Sequence, residues 1–240
     1  MPTGTVRSFA DLHCHTSASF DSLSRPASVV AAAAARGLTH IAITDHERID
    51  GALRAREAAP VELTVIVGEE VRTTGGDMIG LYLERSIPMG LSPLETAAAI
   101  REQGGLVGLP HPFDRFRVSG GRRNAEDALN ELLPLVDYVE GWNARVLAGS
   151  GNRLAAEFAV ARGLPAVAVS DAHTVLEVGV AYTMLDGLVD GPAELRLALA
   201  DARLVTGRSS RLVRAATPVA KLVQRMRGNR RVRPHAAGSR

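Results

Sequence analysis

The chain has 240 residues, 46% of them hydrophobic, which is enough for one full-size domain with a buried core. It contains no apolar run of bilayer-spanning length, and its first residues lack the basic-then-apolar form of a signal peptide. Its single cysteine excludes an internal disulfide framework. These features predict a soluble, cytoplasmic protein with no membrane partner.

The net charge of +2 conceals an uneven distribution. Residues 221–240 hold seven Lys or Arg and no acid, which leaves 21 basic against 26 acidic residues in the rest of the chain. A solvated chain end is the common explanation of such a segment. Weak contact with nucleic acid is the alternative.

Short β-branched apolar runs alternate with Ala- and Leu-rich segments along the chain. The runs predict strands at 9–13, 40–44, 63–67, 78–83, 105–110, 137–142 and 166–170. The other segments predict helices near 26–36, 50–58, 92–103, 125–133, 152–162 and 192–202. This alternation predicts an α/β fold with a largely parallel sheet, either a barrel or an open doubly wound sheet.

The polar residues favour the barrel. Polar clusters follow six of the predicted strands, with the sequences DLHCH, TDH, GEE, PHP, WNAR and SDAH. The strand ends of a β/α barrel converge on one face, where active sites lie, whereas an open sheet gathers fewer of them. We expect residues 1–210 to form a single barrel domain, and residues 211–240 to form a C-terminal helix and a flexible basic tail.

The histidines are concentrated in these clusters, which contain five of the seven: His13, His15, His46, His111 and His173. Residues i and i+2 of a strand face the same side, so His13 and His15 can reach one ion while Cys14 points away and packs as a small hydrophobe. An HxH pair alone is a weak signal. Together with a glutamate of GEE and an aspartate of SDAH, the five histidines predict a metal site rather than isolated core histidines.

The blocks DLHCHT, ITDHE, GEEV, LPHPF and SDAH, in this order, resemble the signature blocks of the PHP family, the polymerase-and-histidinol-phosphatase family of metal-dependent phosphoesterases. The resemblance covers residues 7–185. It implies a distorted (β/α)7 barrel of the PHP type, a TIM-like barrel with two or three divalent metal ions at the C-terminal ends of its strands. Mixed imidazole and carboxylate ligands suit manganese, zinc and iron, and do not choose among them.

The metal ligands that the resemblance implies are His13, His15, Asp21, His46, Glu70, His111, Asp171 and His173. The HxH pair and the SDAH aspartate match a first metal, and the histidine of PHP matches a second. The histidines of TDH and SDAH match a third metal, accompanied by Asp21. Glu70 matches the glutamate that bridges metals, which leaves Glu69 as its variable neighbour. Asp45 is expected to orient or support the site.

This chain lacks one metal-binding histidine that many PHP relatives have. They supply a further histidine to the second metal, in some of them after the bridging glutamate, where this chain reads VRTTGGDMIGLYL. The only acid of that segment is Asp77, which is either a ligand or an ordinary turn residue. The occupancy of the second metal site is therefore left open.

The resemblance implies a hydrolase whose nucleophile is a metal-bridging hydroxide, so no catalytic side chain is assigned. Arg115, Asn143 and Arg145 follow strand ends and are candidates to bind the substrate phosphate. The leading hypothesis is hydrolysis of a phosphomonoester, or of a nucleotide or oligonucleotide phosphate ester. The alternatives are a histidinol-phosphate phosphatase, a non-catalytic metal-bound PHP module and a hydrolase for another bond, such as an amide.

Overall fold

The computed structural model describes residues 6–115, 129–146 and 149–230, and for Asp114 and Arg115 it describes the backbone alone. Its strands are β1 (Arg7–Cys14), β2 (His40–Ile43), β3 (Thr64–Thr73), β4 (Gly76–Leu81), β5 (Leu106–Leu109), β6 (Tyr138–Asn143), β7 (Ala166–Val169), β8 (Tyr182–Asp186) and β9 (Arg203–Val205). Its helices are α1 (Pro26–Ala35), α2 (Asp50–Ala58), α3 (Pro93–Glu102), α4 (Pro112–Arg115), α5 (Gly149–Arg162), α6 (Pro192–Ala198), α7 (Arg211–Arg214) and α8 (Ala216–Met226). None of the described helices is long and apolar enough to cross a membrane.

The strands form one sheet in the order β7-β6-β5-β4-β3-β2-β1-β8-β9. Strands β1 to β3 are parallel to one another, as are β5 to β7, and β4 runs antiparallel between the two groups. The sheet curls until β1 approaches the end of β7, where Cys14 and Ala172 form a bridge and the Ser170 amide donates to the Asp11 carboxylate at 3.0 Å. The barrel is nearly closed, and its parallel strands end at one face.

Alternate strand residues pack into two apolar layers. Ile41 and Ile43 join an outer cluster with α1, α2 and α3, whereas Ala42 between them joins an inner cluster enclosed by the barrel. In β1 the pairing register shifts between Asp11 and Cys14. Ala10 and Leu12 belong to the inner cluster, whereas Cys14 belongs to the outer one. Cys14 is fully buried in the outer cluster, as expected for a packed small hydrophobe.

The predicted α/β barrel is confirmed, and each of the seven predicted strands is present. The count of seven β/α repeats stays a prediction, because β4 follows β3 through a tight turn and β8 and β9 add antiparallel strands. The helix predicted at 125–133 is described only from residue 129, where it is helical and continues into a 3-10 turn at Leu133–Leu135. The predicted boundary near residue 210 also stays a prediction, and residues 231–240 of the basic tail lie outside the described part of the chain.

His40 is a buried histidine with a structural setting. Its Nε2 donates to the backbone carbonyl oxygen of Val189 at 2.7 Å, and its Nδ1 accepts from the hydroxyl of Thr39 at 2.8 Å. Burial is the largest influence on the imidazole and lowers its pKa from the usual value, although the Val189 contact and Asp190 act in the opposite direction. The fold therefore favours the neutral ring.

Replacing His40 by glutamine is expected to make stability less dependent on pH. Below about pH 6.5 the unfolded chain binds a proton at this position before the folded chain does, so the free energy of unfolding falls as the pH decreases. The variant lacks this contribution, although loss of the hydrogen bonds costs it about 1 kcal/mol at every pH. Urea unfolding of both proteins between about pH 8 and pH 5 measures the difference. Parallel stability curves would contradict this assignment.

Candidate metal centre

The candidate site lies at the barrel face where the parallel strands end. The structure brings together all eight residues that were expected to bind metal: His13, His15, Asp21, His46, Glu70, His111, Asp171 and His173. They come from β1, β3 and the segments that follow β1, β2, β5 and β7. All are buried except His111, which is partly exposed.

Glu70 lies at the centre of this group. Its Oε2 atom is 3.2 Å from His13 Nε2, 3.4 Å from His15 Nε2 and 3.4 Å from His46 Nδ1. Its Oε1 atom is 3.5 Å from His111 Nε2. One carboxylate thus faces histidines from three parts of the barrel: the end of β1, the segment after β2 and the segment after β5. A ligand that bridges two ions requires this arrangement.

Glu69 points to the other side of β3. Its Oε2 accepts a hydrogen bond from the backbone amide of Ile87 at 3.0 Å, and burial is the main cause that raises the pKa of the carboxyl group to about 8. Adjacent residues of a strand face opposite sides of the sheet, so only one glutamate of the pair can reach the histidines. The geometry supports Glu70 as that residue.

Three overlapping sets of donor atoms could each hold an ion, with the atoms of a set lying within 4.8 Å of one another among the described residues. The sets are His13, His15 and Asp171; His15, Asp21, His46 and His173; and His13, His111 and Glu140. The first set contains the residues that the resemblance implies for the first metal, and the second contains those implied for the third metal together with His15. The third set contains the PHP histidine together with a residue not anticipated from the sequence.

The donors fit divalent cations. The Nε2 atoms of His13 and His15 face each other at 3.0 Å, and the ring centroids of His15 and His173 are 4.3 Å apart. Within the described residues, the buried Nδ1 of His46 has no hydrogen-bond partner. Buried polar atoms are costly when unpaired, and convergent imidazole nitrogens and carboxylate oxygens are satisfied by a shared metal ion.

The pKa values of the histidines follow their neighbours. Burial acts to lower the pKa of His46, but Glu70 and Asp21 raise it to about 9. Burial likewise opposes protonation of His111, and contact with Glu70 raises its pKa to about 9. Burial and the nearby His173 lower the pKa of His15 to about 3. Divalent ions bound here would replace the protons that the carboxylates attract to the histidine rings.

Glu140 in β6 is a site residue that the sequence analysis missed. Its Oε1 accepts from His13 Nδ1 at 2.6 Å, and its Oε2 accepts from the backbone amide of His111 at 3.0 Å and from Asn143 Nδ2 at 2.9 Å. Both oxygens are therefore occupied by protein donors, the usual arrangement of a carboxylate that orients a metal-binding histidine. An acid in the middle of the apolar run DYVEGW was the available signal, because a buried carboxylate is costly without partners.

Asp21 and Asp45, which follow β1 and β2, have different settings. Asp21 Oδ2 lies 3.2 Å from His173 Nε2 and 3.5 Å from His46 Nε2. Asp45 instead accepts from the amide and the hydroxyl of Thr16, both at 2.6 Å. These hydrogen bonds join Asp45 to the loop that follows β1, in agreement with the supporting role expected for Asp45.

Asp77 is in none of the three sets. It binds Arg72 at 2.9 Å across the β3–β4 turn, so its contacts favour a structural role. We expect Asp77→Asn to bind the same number of metal ions as the unmodified protein, as measured by elemental analysis after gel filtration. Loss of one ion per chain would instead identify Asp77 as a ligand.

Two site residues have a left-handed backbone. The φ angles are 28° at His111 and 52° at Asp171, in a region of backbone conformation that residues other than glycine rarely adopt. Such conformations cost about 1–3 kcal/mol each and persist where the surrounding structure fixes them. Here the strained residues turn two candidate ligands toward the barrel mouth.

The predicted phosphate-binding residues differ in their surroundings. Arg145 lines a cavity of about 120 Å³ that is also bordered by six of the candidate ligands. Its guanidinium contacts Glu177 at 2.7 Å and the hydroxyl of Thr217 at 2.8 Å. Asn143 lines the same cavity, but it is buried and its amide donates to the carboxylates of Glu140 and Asp171. The side chain of Arg115 lies outside the described residues.

Comparison with known proteins identifies the family. A family model described as PHP domain matches residues 11–139, and one described as PHP-associated matches residues 149–204. The chain belongs to the PHP domain family. The resemblance inferred from the five sequence blocks is thereby confirmed.

Three proteins illustrate the range of similarity. An uncharacterized protein of Methanocaldococcus jannaschii is 36% identical over 157 residues, which are 61% of this chain and 88% of that protein. A 5′-3′ exoribonuclease of Haemophilus influenzae is 32% identical over 117 residues, 43% of this chain and 42% of the enzyme. A Bacteroides vulgatus two-domain protein containing a predicted PHP-like metal-dependent phosphoesterase has a similar crystal structure (TM-score 0.68, 17% identity, 91% of this chain and 71% of that chain).

Proposed function

We propose that this protein is a metal-dependent phosphoesterase that hydrolyses a phosphomonoester or a nucleotide or oligonucleotide phosphate ester. The observation that carries the proposal is the contact of the single Glu70 carboxylate with four histidines in three overlapping donor sets. The similarity to a 5′-3′ exoribonuclease supports the nucleotide part of the proposal. A non-catalytic module is less well supported, because the eight candidate ligands lie close together around the Glu70 carboxylate.

In this proposal, different side chains bind the metal ions, orient a ligand and bind the phosphate. The eight candidate ligands would hold the ions, and Glu140 keeps the Nε2 atom of His13 turned toward Glu70 by accepting a hydrogen bond from its Nδ1. When bound, divalent ions of this kind lower the pKa of water and neutralise charge on a phosphoryl group. Across the cavity, Arg145 and Lys221 are placed to bind phosphate oxygens.

A substrate panel tests the proposal. A chromogenic phosphomonoester, its phosphodiester analogue and a short RNA with a 5′-phosphate are each incubated with manganese and the protein, and product release is followed. We expect hydrolysis of at least one of them, and a loss of more than about a hundredfold in His13→Ala, which removes a candidate ligand rather than a supporting residue. A protein that binds metal but hydrolyses none of the three would contradict the proposal. Zinc and iron, tested in parallel, identify the preferred metal.

A further inference from the structure

Helix α8 is hydrogen-bonded to the 17–22 loop, which lies at the barrel face that carries the candidate metal ligands. Gln224 of α8 is 2% exposed, and its side-chain amide donates to three backbone carbonyl oxygens of the 17–22 loop, at 2.8, 2.9 and 2.7 Å. Asn229 adds a hydrogen bond of 2.9 Å to the carbonyl of Ala18. This loop also carries Asp21, so α8 is held against a segment that contributes a candidate metal ligand.

This attachment places basic side chains opposite the candidate ligands. Lys221 and Thr217 of α8, with Arg214 of α7, line the same cavity as the histidines and carboxylates. The Lys221 ammonium also lies 5.5 Å from the ring of Phe20 in the loop. Both family models end at or before residue 204, so this wall of the cavity comes from a part of the chain that neither model includes.

The basic wall continues outward as a groove. A second cavity of about 630 Å³ shares Arg145, Arg214 and Thr217 with the metal cavity and extends to Arg211. Its described lining contains these three arginines and no acidic residue. Glu177 partly balances Arg145 from behind, and Arg211 adds a positive charge where the groove leaves the metal cavity.

We propose that this groove, formed by α7 and the start of α8, binds a second phosphate group of the substrate. The inference rests on the proposed function, in which bound ions neutralise the phosphate that is attacked. The arginines of the groove lie beyond that position and suit another anion, because guanidinium groups pair with phosphate oxygens through two parallel hydrogen bonds. The groove of about 630 Å³ has room for a nucleotide-sized group, whereas the inner cavity of about 120 Å³ does not.

Three compounds test the subsite. A dinucleotide with a 5′-phosphate carries two phosphate groups, whereas the same dinucleotide with a 5′-hydroxyl and the 5′-mononucleotide carry one each. With manganese, we expect kcat/KM for the first compound to exceed that for either of the others by about tenfold or more, the usual effect of one charge-assisted hydrogen bond. Arg211→Ala should reduce this ratio by about tenfold, since Arg211 lines the groove but not the inner cavity. Arg225→Ala, an exposed arginine of α8 that lines neither cavity, is the matched control and should retain the ratio.

Binding to the His13→Ala protein, measured by calorimetry, separates the subsite from the proposed activity. If no compound is hydrolysed but the two-phosphate dinucleotide binds more tightly than both others, and Arg211→Ala removes this preference, the subsite is supported and the proposed function fails. If the compounds are hydrolysed and bound without preference, the function is supported and the subsite is overturned. Equal losses on all three compounds in Arg211→Ala would also overturn it.

Discussion

Glu70→Gln is expected to lower the rate of phosphate ester hydrolysis by more than about a hundredfold, beyond what the loss of a supporting residue causes. The amide replaces one carboxylate oxygen by an NH2 group, which cannot coordinate a cation and removes a negative charge from the centre of the site. The remaining oxygen cannot face both His111 on one side and the HxH pair on the other. We therefore expect fewer bound metal ions per chain, measured by elemental analysis, together with the loss of activity.

Glu69→Gln is the matched control for this prediction. The same chemical change is made one residue earlier, on the side of β3 that faces the Ile87 amide. Because burial already favours the protonated form of this carboxyl group, glutamine is a close substitute, and both metal content and rate should stay near those of the unmodified protein. If Glu69→Gln loses metal and Glu70→Gln retains it, the two glutamates have been assigned in the wrong order.

The histidines of the candidate metal centre could be anticipated because they follow a local sequence pattern. Each follows a recognisable apolar run or lies in one, and the parallel strands of an α/β barrel end at a common face. That rule brings His13, His46 and His173 together without knowledge of any contact. The choice between Glu69 and Glu70 needed the family pattern. Adjacent residues of a strand face opposite sides of the sheet, but the sequence alone does not determine which of the two glutamates faces the histidines.

Other features depended on contacts between distant segments. Strand β8 pairs antiparallel with β1, across more than half the chain, and β9 is a short edge strand with three residues. Neither has a strong local signal, and pairing with β1 rather than propensity defines β8. Strand β4 was recognised as a strand, but its antiparallel direction follows from the tight turn after β3.

The C-terminal segment shows the same limit. Its basic composition predicted a solvated tail, and the helix at 216–226 has an exposed basic face that agrees with this interpretation. Gln224 is nevertheless buried against the 17–22 loop, more than 200 residues earlier in the sequence. A single glutamine among arginines gives no sequence signal of such a contact, since its partners are backbone carbonyl groups that every residue has.

Glu140→Gln is expected to weaken metal binding by about 10- to 100-fold, the usual effect of removing a carboxylate that orients a metal-binding histidine. The carboxylate accepts from His13 through one oxygen and from the His111 amide and Asn143 through the other. A glutamine has only one acceptor oxygen, so its NH2 group must face either the His13 ring or two N–H donors. In each case His13 loses part of the support that turns its Nε2 toward Glu70.

Metal titration of this variant separates an orienting role from direct ligation. If Glu140 orients His13, the variant should bind the full number of ions at high metal concentration, and hydrolysis should recover there to within several-fold of the unmodified rate. If Glu140 is itself a ligand in the set with His13 and His111, one ion per chain should be absent at every concentration tested. Because both oxygens of Glu140 are already engaged by protein donors, we expect recovery. That result would leave His13, His111 and Glu70 as the side chains able to hold an ion at this position without Glu140.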